Sequence, residues 1–100
     1  MISLGVGAMK GQTDITNLSI PGCLFIGSKA FFGCDNLKTI SFAEKPDDFI
    51  PVLDNIDAFY GSDGKLMTSV NIIVPSRLYS RWCEQPNWVI LAKAGMIETT

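Results

Sequence analysis

Three short segments alternate apolar and polar residues as half-buried β-strands do, at residues 17–20, 38–42 and 71–74. Because successive side chains of a strand point to opposite faces, the alternation places the apolar residues of each segment on one face. That face is predicted to line the core with Leu18, Ile20, Ile40, Phe42, Ile72 and Val74. Phe31 and Phe59, which lie between the segments, complete the predicted core.

An internal repeat relates the first two segments. Residues 3–20 align with residues 25–42 at an offset of 22. The identical pairs are Gly5 and Gly27, Ala8 and Ala30, Gly11 and Gly33, and Ser19 and Ser41. Five of the remaining pairs keep an apolar residue at both positions, which indicates two copies of one structural unit.

A third copy is interrupted by insertions. Residues 58–61 repeat residues 30–33, and residues 71–75 repeat the first strand with its following proline. The extra residues fall around 44–51 and 62–65, where proline, aspartate and glycine predominate. These insertions predict loops.

The recurring turn has the pattern Ala-x-x-Gly, with an aromatic residue after the alanine in the second and third copies. Gly11, Gly33 and Gly61 are predicted to adopt backbone conformations that residues with a Cβ avoid. Pro21 and Pro75 end their strands because proline cannot donate to a ladder. A period of 22 lies within the range of about 20 to 29 residues that is typical of leucine-rich repeats. The sequence therefore predicts an α/β repeat solenoid of leucine-rich-repeat-like coils with short parallel strands.

The combination of motifs resembles the BspA-like leucine-rich repeats of bacterial surface proteins. The segments that carry the resemblance are Ile20-Pro21, Ile26-Gly27, Ala30-Phe31-Phe32-Gly33-Cys34 and Leu37-Lys38-Thr39-Ile40. Gln12 and Ser62 depart from it by replacing the turn cysteine. Asp54 departs from it at the position that Leu4 and Ile26 occupy in the other copies.

The resemblance, which covers about residues 3–88, implies a non-catalytic protein-binding or adhesion module at a bacterial cell surface. Related repeats also occur in phage structural proteins, so the alternative is an assembly subunit of a virion head or tail. The implied location is the cell surface, the secreted fraction or a virion. Residues 1–11 lack the pattern of a secretion signal, so export would depend on something outside them.

The predicted boundaries give three coils at about residues 1–20, 21–42 and 43–75, and a C-terminal helical cap at residues 76–100. A solenoid needs a cap to cover its last layer of core. The residues predicted to cover it are Leu78, Tyr79, Trp82, Trp88 and Ile90. The two tryptophans also suit a stacking platform for a sugar or peptide, but in a cap they more often belong to the core.

The opposite end carries apolar residues with no preceding coil in this sequence, namely Leu4, Met9 and Ile15. Solenoid ends of this kind need cover, and edge strands carry unpaired donors and acceptors. The sequence therefore predicts a homo- or hetero-oligomer formed through the N-terminal edge.

Charge and hydropathy argue against two classes of partner. The eight Lys and Arg residues are scattered and are balanced by ten Asp and Glu, which gives a net charge of -2. Such a distribution has no electrostatic footprint for nucleic acid. The longest mostly apolar stretch, residues 88–97, is shorter than the roughly 20 residues that a membrane-spanning helix needs.

Catalytic and metal-binding patterns are not recognisable. The sequence contains no histidine, the usual general base and metal ligand. Its three cysteines are widely spaced, and Cys34 is expected to be a buried turn residue rather than a nucleophile. The acidic loop residues lack the spacing of a calcium site: Asp47, Asp48, Asp54 and Asp57. We therefore expect no enzymatic activity, cofactor or metal.

The polar face of the predicted strands is the candidate interaction surface. It comprises Asn17, Ser19, Thr39, Ser41, Asn71 and Ile73. Stacked coils present such a face as an extended surface without a deep pocket, which suits a protein partner.

Overall fold

A computed structural model describes residues 2–20, 22–43 and 48–99. The strands are β1 Ile2–Leu4, β2 Asn17–Ser19, β3 Cys23–Ile26, β4 Thr39–Ser41, β5 Val52–Leu53, β6 Asn71–Val74 and β7 Ile97–Thr99. Two α-helices lie near the C-terminus, α1 Tyr79–Cys83 and α2 Trp88–Lys93. Short 3₁₀ helices cover Ile56–Phe59 and Ser76–Leu78. None of the helices in these ranges is long and apolar enough to cross a membrane.

The strands form two parallel sheets, so the chain is a small α/β fold with few helices. Sheet A has the order β1-β3-β5, and sheet B has the order β2-β4-β6-β7. The chain alternates between the sheets from β1 to β6, so each successive passage adds one strand to each. The three strands predicted from the alternation are all present, as β2, β4 and β6.

The 22-residue offset of the sequence repeat is also the register of the first strand pairs. Ser3 pairs with Phe25 in sheet A, and Asn17 pairs with Thr39 in sheet B. Hydrogen bonds between the Ala-x-x-Gly turns continue the match, because the Met9 amide donates to the Ala30 carbonyl at 2.8 Å. The sequence similarity therefore reflects residues that lie side by side in space.

The core lies between the two sheets and the C-terminal helices. All the predicted core residues are buried except Leu18, which is half-buried because β2 is an edge strand. The Phe31 and Phe59 rings stack with centroids 5.5 Å apart. Phe42 contacts the two tryptophans of the helices, with centroid distances of 5.1 Å to Trp82 and 6.1 Å to Trp88.

The C-terminal segment closes the core, but not as a purely helical cap. Its last residues form β7, which pairs in parallel with β6 and was not predicted. Tyr79 and Ile90 were expected to cover the core and are instead exposed, at 38% and 43%. In α2, the buried residues are Trp88 and Leu91, three positions apart on one helix face, so Ile90 points elsewhere.

Trp82 and Trp88 are fully buried, so the interpretation as core is confirmed and a stacking platform is excluded for them. The Trp88 indole Nε1 donates to the Pro51 carbonyl at 2.8 Å. Leu78 is also buried, as predicted.

The register of the third copy differs by one residue from the sequence alignment. Ile26 pairs with Leu53, which is buried, while Asp54 is exposed and its amide donates to the Ile26 carbonyl at 2.9 Å. An apolar residue therefore does occupy the core position in the third copy. The extra residue is accommodated before the 3₁₀ helix, where the Asn55 side chain accepts a hydrogen bond from the Asp57 amide.

The turn glycines fulfil two different requirements. Gly11 and Gly33 have φ values of 76° and 77°, in the left-handed region that favours glycine, as predicted. Gly61 does not have a positive φ, so that part of the prediction is wrong. A Cβ at Gly61 would instead lie 3.2 Å from carboxylate oxygens of Asp35 and Asp63, a tight contact that these two side chains would have to relieve by moving.

Gly27 offers a sharper test of close packing between copies. A Cβ at Gly27 would lie 2.7 Å from the Gly5 carbonyl carbon and 2.7 Å from the Val6 nitrogen, both backbone atoms. At Gly5, the equivalent position in the first copy, a Cβ would meet nothing within 4 Å. We expect Gly27→Ala to lower the free energy of unfolding by about 1–3 kcal/mol, the usual cost of overpacking. Gly5→Ala should change it by less than about 0.5 kcal/mol. Urea denaturation of both variants makes the comparison, and equal effects would contradict the packing.

Candidate partner-binding faces

The structure brings the six predicted surface residues together on the outward face of sheet B. Asn17 pairs with Thr39, which pairs with Asn71. A neighbouring column runs through Ser19, Ser41, Ile73 and then Glu98 of the unpredicted strand β7. Asn17, Ser19 and Asn71 are exposed, and Thr39, Ser41 and Ile73 are half-buried. The result is a mostly polar face, which we call the polar face.

The outward face of sheet A carries two adjacent apolar side chains and was missed by sequence reasoning. Phe25 and Val52 are paired neighbours on β3 and β5, so their side chains lie on the same side of the sheet. Val52 is 55% exposed, and Phe25 is half-buried. We call the surface formed by Phe25 and Val52 the apolar face. Burying two adjacent apolar side chains of an open sheet face favours association with a partner.

A cleft of about 230 Å³ opens beside the apolar face. It is lined by Ile50, Pro51, Val52, Leu53, Gln85 and Pro86. Val52 therefore belongs both to the apolar face and to the wall of the cleft. The segment before α2 supplies the opposite wall, so the cleft lies where sheet A meets the C-terminal helices.

Hydrogen bonds from the C-terminal segment hold β5 at this cleft. The Asn87 side-chain amide donates to the Leu53 carbonyl at 2.7 Å and to the Asp54 carbonyl at 3.1 Å. Together with the bond from Trp88 to Pro51, these contacts occupy carbonyls along the edge of β5. Asn87 has a positive φ of 68°, which asparagine adopts more readily than most residues. The edge of β5 is thus covered, while the outward side chain of Val52 stays available to a partner.

A second, polar cavity of about 290 Å³ lies at the loop that follows Gly61. The Asp35 carboxylate accepts hydrogen bonds there from the Ser62 amide at 2.9 Å and the Ser62 hydroxyl at 2.7 Å. Both hydrogen bonds lower the pKa of Asp35 from its usual 3.8, and the bond from the Ser62 amide has the larger effect. These hydrogen bonds therefore connect Asp35 of the second copy to the loop of the third.

Asp35→Asn should reveal this contact through pH dependence. A carboxyl group whose pKa is lowered by folding stabilises the native state fully above its unfolded pKa and loses that contribution as the pH falls through the folded pKa. We expect wild type to unfold at a higher temperature than Asp35→Asn at pH 7. The difference in melting temperature between wild type and the variant should narrow as the pH falls below 3.8. Melting curves from pH 7 to pH 2 measure it, and a pH-independent gap would contradict the ionic contribution of Asp35.

Two of the three cysteines are buried. Cys23 and Cys34 are buried, and Cys83 is half-buried. The Cys34 thiol donates to the Met9 carbonyl at 3.1 Å, and burial raises the pKa of this thiol. Cys34 thus joins the first two copies, as the expectation of a buried turn cysteine requires.

Metal-binding side chains are not clustered in the described ranges, where no group of three or more Cys, Asp or Glu residues could hold an ion. Asp47 of the acidic loop lies outside the described residues.

Comparisons of the chain with protein-family models, curated proteins and solved structures gave no match. The candidate faces are therefore interpreted from their own geometry.

Proposed function

We propose that this chain is a non-catalytic protein-binding module that contacts its partner through the apolar face. The observation that carries the proposal is the exposure of Val52 beside Phe25, next to a cleft lined largely by apolar groups. Burying apolar side chains contributes about 25 cal/mol for each Å² removed from water, so covering Val52 and Phe25 would favour binding of a partner.

The chemistry of the surroundings suggests what the partner presents. The cleft is of a size to receive one apolar side chain, and Gln85 at its wall offers an amide for hydrogen bonding. Asp54 and Asn55 follow β5 and are exposed. An apolar centre with a polar rim is the usual anatomy of a protein interface. We therefore propose a protein surface with a projecting aliphatic or aromatic residue as the occupant.

The same proposal includes the family-level interpretation. The alternation of the chain between two parallel sheets and the 22-residue register support a leucine-rich-repeat-like solenoid of the BspA type. In that interpretation the coils at about residues 1–20, 21–42 and 43–75 stack, and residues 76–100 close them. The function is then adhesion or partner attachment at a cell surface.

The test compares one added charge on each face. A partner captured with the immobilised chain is identified, purified and titrated by calorimetry against Val52→Asp and Asn71→Asp. Both substitutions add a carboxylate at an exposed strand position, on the apolar and polar faces respectively. We expect Val52→Asp to weaken binding at least tenfold and Asn71→Asp to change it less than twofold, with both variants melting like wild type. The opposite ranking would move the site to the polar face.

A second candidate function is an assembly subunit, such as a component of a phage virion head or tail. The observation that favours it is the edge position of both β1 and β2, the strands of the first copy. An edge strand can accept a strand from another chain. In this alternative, contacts between chains would run through residues 2–20 rather than through the apolar face.

A further inference from the structure

The first copy leaves its side of the core partly open. Four of its apolar residues are only half-buried, namely Leu4, Met9, Ile15 and Leu18. Their equivalents 22 positions later are all buried, namely Ile26, Phe31, Leu37 and Ile40. The apolar layer that each copy offers to its neighbour is therefore covered in the second copy and exposed to solvent in the first.

The backbone hydrogen-bonding groups of β2 face β4 at alternate residues and face away from it at the others. The Thr16 carbonyl accepts from the Lys38 amide at 2.7 Å, and the Ile20 amide donates to the Ser41 carbonyl at 3.0 Å. In a parallel ladder, alternate residues direct their backbone groups to the same neighbour, so Leu18 also bonds to β4. Asn17 and Ser19 consequently direct their amides and carbonyls away from β4. In the part of the chain that the structure describes, no strand lies on that side.

We infer that a second copy of this chain binds this edge about a twofold axis centred on Leu18. An antiparallel pair centred there places Asn17 opposite Ser19 of the second copy, and the reverse. Residues opposite each other at such positions exchange both of their N–H···O bonds. The twofold axis provides this arrangement twice and joins the two sheets B into one continuous sheet.

The centre of the same arrangement buries apolar surface. Leu18 would face Leu18 of the second copy as a non-hydrogen-bonded pair, in which Cα atoms are about 4.5 Å apart. Because Leu18 lies on the core side of the sheet, the two leucines would cover each other at the open edge of the core. One axis therefore pairs the outward backbone groups of β2 and buries Leu18.

Charge and shape favour a second copy at this edge. Residues 2–20 carry one cation, Lys10, and one anion, Asp14, so two identical faces meet without net repulsion. The strand residues have neither the charge nor the proline that usually protects an edge. The other end of the core is already closed by fully buried Trp82, Trp88, Leu91 and Met96, so head-to-tail contact would not pair two open apolar layers.

The first experiment measures the mass of the oligomer and then tests whether charges added at the edge of β2 dissociate it. Sedimentation equilibrium should give twice the 10.9 kDa chain mass at high micromolar concentration. The double variant Asn17→Lys with Ser19→Lys places cations opposite cations and should raise the dimer dissociation constant at least tenfold. Mixing it with the double variant Asn17→Glu with Ser19→Glu should restore a dimer containing one of each. Circular dichroism confirms that each variant is folded.

The control keeps the same charges but moves them away from the edge. Asn71→Lys with Ile73→Lys lies in the same two columns, on β6, and should dimerise like wild type. Val52→Asp should also dimerise normally, which separates this inference from the proposed use of the apolar face. A monomer at all concentrations, growth beyond a dimer, or failure of the oppositely charged variants to pair would each overturn the inference.

A covalent trap gives an independent measurement. In a Cys83→Ser background, Leu18→Cys should form a disulfide between two chains under mild oxidation, because the predicted spacing suits one. Ile40→Cys, which is in register with Leu18 on the next strand and is fully buried, should not. Equal cross-linking of the two variants would contradict the twofold axis at Leu18.

Discussion

Replacing Trp88 with alanine is expected to lower the free energy of unfolding by about 3–5 kcal/mol, the range for truncating a large buried aromatic residue. Trp88 is fully buried and lies between Phe42, Phe59 and Trp82, with ring centroids 5.5 to 6.2 Å away. The change also leaves the buried Pro51 carbonyl without its indole donor, which adds to the cost. Small domains are stable by only about 5–15 kcal/mol, so much of the margin would be lost.

The matched control for Trp88 is Ile90→Ala in the same helix. Ile90 is 43% exposed, so its truncation should cost less than about 1 kcal/mol. Chemical denaturation of the two variants and wild type gives the comparison. A cost for Trp88→Ala no larger than that for Ile90→Ala would show that α2 does not close the core as described.

The second large effect is expected within β6, where two consecutive isoleucines face opposite sides of sheet B. Ile72 is fully buried, whereas Ile73 is half-buried on the polar face. Ile72→Ala should lower the free energy of unfolding by about 2–5 kcal/mol, and Ile73→Ala by a clearly smaller amount. The pair tests the strand register directly, because a slip of one residue would exchange the two faces. Equal or reversed losses in urea denaturation would contradict the register.

The part of the fold that sequence reasoning predicted is the part with a repeating pattern. Strands β2 and β4 alternate cleanly, β6 alternates except at Ile73, and the 22-residue offset proved to be the pairing register of β2 with β4. The one-residue error at Asp54 arose because an insertion moved the alignment between β5 and the following turn. Alignment of turn residues alone cannot locate such a shift.

Sheet A was missed for a physical reason. Its strand β3, Cys23–Ile26, is an unbroken apolar run, which carries no period-2 signal and cannot be distinguished from a buried helical segment. Its strand β5 has only two residues. The short final strand β7 follows two helices and has one buried residue, Ile97. These elements exist because their tertiary neighbours hold them, which a local pattern does not encode.

The same limit applies to the candidate surface. The polar face was predicted because its strands alternate, and the structure does assemble its six residues. The apolar face depends on the pairing of Phe25 with Val52, 27 positions apart, and on the cleft formed with Pro86. The exposure of Val52 follows from this arrangement, since nothing in the local sequence separates it from the buried Leu53 beside it.

Site-specific photo-cross-linking tests the central claim, that a partner binds the apolar face, most directly. A photoreactive phenylalanine analogue is placed in turn at Val52, at Asn71 on the polar face and at the exposed loop residue Thr68. Each variant is illuminated with the purified partner, with and without excess unlabelled chain. We predict a cross-link from position 52 that unlabelled chain competes away, and none from position 71 or 68. Competed cross-links from position 71 without any from position 52 would contradict the account and assign binding to the polar face.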